Sequence, residues 1–161
     1  MTKTYFLATL FTLIINLGSA QEQDVKEEHQ NVQAFINCIA NGNLDTLKSL
    51  VRYPLKREYS LPAIANEAEF IKRYDEVFDD ALIKLIVGSD FKKDWTIVGQ
   101  RGIMLNSGGL WLENEERLIS VNYQSPVEKE KGEEILINDI RLLHESINVY
   151  ENRMVILETE T

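Results

Sequence analysis

The spacing of apolar residues changes once along this chain, near Gly88, and that change bounds the folds open to it. Upstream, apolar side chains recur at three- and four-residue intervals; downstream, they fall in short runs separated by turn residues. Over Val25–Ala40, the residues Val25, Val32, Phe35, Ile36 and Ile39 mark one side of a helix, and Asn41-Gly42 supplies a left-handed stop. Asn43 caps a short second helix in which Leu44, Leu47, Leu50 and Val51 share a face. Tyr53-Pro54 ends it, because proline disfavours helix in the residue before it. After a loop containing Pro62, Asn66 and Glu69 stand at capping-box spacing, and Phe70, Ile71, Tyr74, Val77, Phe78, Ala81 and Leu82 predict one wide apolar helix face.

Beyond Gly88 the runs Trp95–Val98, Gly102–Leu105, Gly109–Leu112 and Leu118–Tyr123 read as antiparallel strands, turned at Asn106–Gly109 and at the charged Glu113–Arg117. Ser125–Lys131, with Pro126, reads as a charged linker. Ile135, Leu136, Ile140, Leu143 and Ile147 suit a helix, although Ile135–Ile137 could start a strand instead. Met154–Glu160 alternates like a last strand, and a last strand needs a neighbour: either it pairs back onto the meander or the chain ends short of the natural domain. The expected fold class is α+β, with N-terminal helices packed on an antiparallel sheet, in one domain over residues 21–161. A domain of that size buries roughly two thirds of its unfolded surface without staples.

Met1–Ala20 has the pattern of a signal peptide: Lys3 near the start, an apolar run over Tyr5–Leu17, then Gly18-Ser19-Ala20 before the polar Gln21-Glu22-Gln23-Asp24. The run is shorter than the ~20 residues a membrane span needs. Export to the periplasm or outside the cell is the expected address, with membrane contact only through an uncleaved leader. Cys38, the single cysteine, has no intramolecular partner, and its place in the first helix predicts a buried, inert thiol. A disulfide scaffold is excluded.

The formal charge is −9, from 17 Lys+Arg against 26 Asp+Glu. Such a polyanion repels phosphate, so no nucleic-acid partner is expected; Lys92-Lys93 is the largest basic cluster. His29 and His144 have no Cys, Asp or Glu at a metal-ligand spacing, so neither a metal nor another cofactor is implied. No Gly-x-Ser-x-Gly turn supports a nucleophile, and no catalytic residue is assigned. Asp75, Asp79 and Asp80 read as the wet face of the third helix. Arg101, flanked by Trp95 and Trp111, is the candidate ligand-binding group, lining a pocket for an anionic or aromatic ligand. In the same segment, Gly99 and Gly102 permit a bulge or close approach.

The order helix, short helix, helix and twisted meander resembles the cystatin-like cone of nuclear-transport-factor-like domains, with Phe35–Leu47 similar to the usual ending of the first helix. The stretch from Trp95 to Trp111, with Ile119-Ser120-Val121-Asn122, resembles a group of small exported bacterial proteins of uncharacterised function. The resemblance covers Val25–Tyr123. It implies a curved sheet, ligands held in the cone, and homodimers formed through the outer face of the sheet. Two broad functions follow as expectations: a non-enzymatic module binding a small ligand or an envelope protein, or an isomerase or hydrolase using a buried carboxylate. A third is an inhibitor or immunity-type protein whose acidic face meets a basic partner.

Overall fold

The computed structural model of the chain describes residues 26–113 and 117–159. The expected leader at 1–20 and the middle of the Glu113–Arg117 turn lie outside the described residues, as does Glu160. Helix α1 covers 26–40, followed by α2 (Leu44–Ser49), strand β1 (Val51–Arg57), α3 (Glu67–Val77), α4 (Asp80–Val87) and the single turn α5 (Phe91–Asp94). The strands β2 (Trp95–Ile97), β3 (Ile103–Leu105), β4 (Leu110–Leu112) and β5 (Leu118–Val121) come next, and helix α6 runs from Pro126 to Thr159. Among the described residues no helix is long and apolar enough to cross a membrane.

The α+β class holds, and the expected meander forms: β2, β3, β4 and β5 pair antiparallel in sequence order. The sheet is mixed rather than antiparallel, because β1 joins its edge parallel to β5, giving the order β1-β5-β4-β3-β2. Val51 is the first residue of a strand, not the end of the second helix, and Pro54 lies within that strand. The partner of Val51 is Leu118, far along the chain, so no local pattern marks the pairing. Proline is tolerated because β1 is an edge strand.

The single long third helix that the sequence predicts is two helices. It breaks at Phe78, and Asp79 caps a new helix by accepting a hydrogen bond from the Leu82 amide at 2.8 Å. The break turns Phe70, Val77, Phe78, Leu82 and Ile86 into one core while leaving Ile71 and Ala81 exposed. At the front of α3 the expected cap is in place, with Asn66 accepting from Glu69 N at 3.0 Å.

Ser125–Lys131 is no linker, and Met154–Glu160 is no strand through its described residues: Pro126–Lys131 opens α6, and the described part of Met154–Glu160 ends it. Ser125 accepts from Glu128 N through its hydroxyl (3.2 Å) and from Lys129 N through its carbonyl (2.9 Å), and Pro126 occupies the first helical position. A proline there loses no helical hydrogen bond. Helix rather than strand also settles Ile135–Ile137.

One core unites the elements. Val32, Phe35 and Ile39 of α1, Leu47 of α2, Phe70 of α3 and Ile86 of α4 pack against Leu55, Ile103, Leu105, Leu110, Leu112, Leu118 and Val121 of the sheet. Cys38 is buried at the margin of this core, where burial pushes its thiol above the ordinary range.

Candidate functional site

The structure separates the three residues assigned to a ligand pocket. Cross-strand partners share a face of a sheet, and successive residues alternate. Trp95 is level with Leu105, which is level with Leu110 and through it Val121, so it points into the helix-covered core; it is buried, and its indole donates to Ser89 Oγ at 2.8 Å. Trp111 is level with Met104 and Ser120 and therefore occupies the opposite face. Arg101 is exposed in the short 3-10 turn Gly99–Arg101 that follows β2. The two tryptophans cannot flank one guanidinium because the pleat places them on different sides of the sheet.

What the fold does gather is a set of buried charges at the root of α6. Arg57, the last residue of β1, has no solvent-exposed side-chain surface; it donates to the carbonyls of Val121 and Tyr123 (the latter at 3.0 Å) and to the Glu128 carboxylate, itself fully buried. Arg73 of α3 approaches the other oxygen of Glu128 at 3.6 Å and pairs with Glu69 at 3.3 Å. Burial lowers the pKa of the Arg57 guanidinium, opposed by the adjacent Glu128. Isolated charges are too costly to bury, so each is held by a partner of opposite sign. Two guanidiniums and the start of α6 enclose Glu128, which leaves this carboxylate no open side for a substrate.

The cluster extends through Tyr123. Its hydroxyl donates to the Asp79 carboxylate, whose two oxygens lie at 3.0 and 2.9 Å. Asp79 is thus a helix cap and a tyrosine acceptor at once; only Asp75 and Asp80 of the expected wet face are exposed. Burial, and then the hydrogen bond and charge of Asp79, push the Tyr123 phenol up to about 12 from 10.0. Burial does the same for Tyr53, with the charge of Glu67 adding to it, also to about 12. A phenol whose pKa is raised by folding contributes stability that is complete below the unfolded value and lost as pH climbs through the folded one. Stability is therefore expected to fall between pH 10 and about 12. Tyr123→Phe should remove one late step from a phenolate absorbance titration and flatten that fall; loss of a step near pH 10 instead, with the late steps kept, would show that the phenol of Tyr123 is not held by Asp79.

Beside this cluster an open groove of about 330 Å³ is lined by Tyr59, Ser60, Gln124, Lys129, Gly132, Glu133 and Leu136. At Gly132 α6 lies against the loop before α3, where Ser60 Oγ donates to the Gly132 carbonyl at 2.6 Å. His29 is exposed and stacks on Phe91 with ring centroids 4.6 Å apart, and His144 is exposed on α6. Among the described residues no group of three or more His, Cys, Asp or Glu is placed to hold a metal ion.

Arg57, Arg73, Glu128, Asp79 and Tyr123 were not singled out as a site from the sequence. One signal was present: Ser125-Pro126-Val127-Glu128 has capping-box spacing with proline at the first helical position. Glu128, however, turns to Arg57, a pairing across 71 residues that no local pattern encodes. Comparison of the chain with protein-family models, with curated proteins and with solved structures finds no match.

Proposed function

We propose that the protein is an exported, non-enzymatic module that binds another protein through its surface. The observation that carries this reading is the filling of the helix-covered face of the sheet: Phe35, Leu55, Phe70, Leu82, Ile103, Leu110 and Leu112 are fully buried there, where a ligand-holding cone would keep its cavity. The isomerase or hydrolase reading needs a buried carboxylate open to a small molecule, and Glu128 is closed off by Arg57 and Arg73. With net charge −9, the surface favours a basic partner.

Two measurements on the purified protein test this. Thermal unfolding is followed with a panel of small anionic and aromatic ligands, and binding to basic exported proteins of the same source is measured at low and high salt. The expected result is no saturable rise in melting temperature with any small ligand, and a protein complex whose association weakens as salt screens the charges. A small molecule that stabilises the protein saturably would overturn the reading.

A further inference from the structure

Helix α6 is anchored at its start and uncovered beyond it. Glu128 and Gly132 are buried and Ile135 is half-buried, whereas every residue from 136 to 150 is exposed. At 1.5 Å per residue, the stretch 136–159 extends about 36 Å past the domain. In proteins a helix gains most of its stability from packing of an apolar face. This one carries such a face: Leu136, Ile140, Leu143, Ile147 and Tyr150 are 42%, 50%, 59%, 45% and 68% exposed. They follow one another at alternating steps of four and three, and the sequence continues the steps through Met154 and Leu157. That is a heptad seam over three repeats, with Ile140, Ile147 and Met154 at position a and Leu136, Leu143, Tyr150 and Leu157 at position d.

We propose that residues 136–157 of α6 form a parallel, two-stranded coiled coil with a second copy of this chain. Two features of the seam select that occupant. Branched isoleucine at a with leucine at d favours two parallel strands, since the knobs then fit the holes of an identical helix in register. The flanking positions also close on themselves. In a parallel pair, g of one copy meets the following e of the other, which sets Asp139 against His144, Ser146 against Glu151 and Arg153 against Glu158, with no like charges opposed. Leu142 and Val149, also exposed, occupy position c and stay outside the seam. This self-association goes beyond the binding of a separate partner by the domain and stands or falls independently of it.

The test is the mass of the purified protein in solution, by light scattering and sedimentation across a hundredfold range of concentration. The expected mass is twice that of one chain, falling to one chain in Ile140→Asp/Ile147→Asp and unchanged in Leu142→Asp/Val149→Asp. Residues 136–150 of α6 are exposed on their own chain, so both variants should keep the parent's near-ultraviolet tryptophan signal. Orientation is read by Ile140→Cys: in a parallel pair the two introduced thiols face each other and cross-link on oxidation, while Leu142→Cys does not cross-link. A one-chain mass at every concentration, a mass above two chains, equal loss in the a and c variants, or no cross-link at Ile140→Cys would each overturn the proposal.

Discussion

Replacing Glu128 by alanine is expected to lower stability by about 3–5 kcal/mol, the cost of leaving a buried charge without its partner. The residue at risk is Arg57, whose side chain is completely buried and whose counter-charge is Glu128. In the variant, Arg57 keeps the carbonyls of Val121 and Tyr123 but loses the carboxylate, and Arg73 loses its ion pair at 3.6 Å. For a chain of this length the loss corresponds to a melting temperature lower by on the order of 10 °C. The root of α6 is expected to loosen as well, because Glu128 ties its first turn to the edge strand. The double variant Arg57→Met/Glu128→Leu should recover most of the loss, since apolar residues of similar volume fill the site without a charge to desolvate. Thermal unfolding by circular dichroism of the two single variants and the double variant measures this. A cost below about 1 kcal/mol for Glu128→Ala, the range of exposed pairs, would show that the pair is solvated rather than buried.

An effect of similar size is expected at Gly102. This residue sits between the turn Gly99–Arg101 and β3 with φ of 98° and ψ of −152°, a conformation open essentially to glycine alone. A Cβ there would lie 2.0 Å from the carbonyl oxygen of Leu112 in β4. The obstacle is backbone within the sheet, so no side chain can rotate away to make room. Gly102→Ala is therefore expected to cost roughly 3–5 kcal/mol, among the large single-residue effects, and Gly102→Val more. Gly99 provides the internal control: it too has positive φ, 55°, but its Cβ would meet nothing within 4 Å. Gly99→Ala should cost only the left-handed penalty of about 1–2 kcal/mol. Equal costs at the two positions, measured by denaturant unfolding, would show that β3 and β4 can separate without loss.

The contrast between these two sites is also a contrast in what can be read from a chain. A close backbone approach at Gly102 follows from glycine flanking a strand run, and the meander from Trp95 to Val121 follows from runs broken by turn residues. The stop at Asn41-Gly42 and the cap at Asn66 are equally local: each needs only a short side chain or a residue tolerant of positive φ within a few positions. The charge network required partners far apart in the chain. Arg57 reads as one residue of a loop, and Glu128 as one of many acids, until β1 lies beside β5 and α6 starts where β5 ends.

By itself, the sequence determined where period and turn chemistry act over a few residues: the early helices, the four strands of the meander, the α+β class and the burial of Cys38. Tertiary structure decided three further things. Val51–Arg57 became a strand because β5 offered it an edge. The helix run after Asn66 broke at Phe78 so that Phe70, Leu82 and Ile86 could face one core, and the pleat assigned Trp95 and Trp111 to opposite faces. The reason is physical: capping and periodicity are short-range preferences of about a kilocalorie per mole. Strand pairing and the burial of charge are governed by what the rest of the chain brings alongside, and breaking a buried charge pair costs several times that energy.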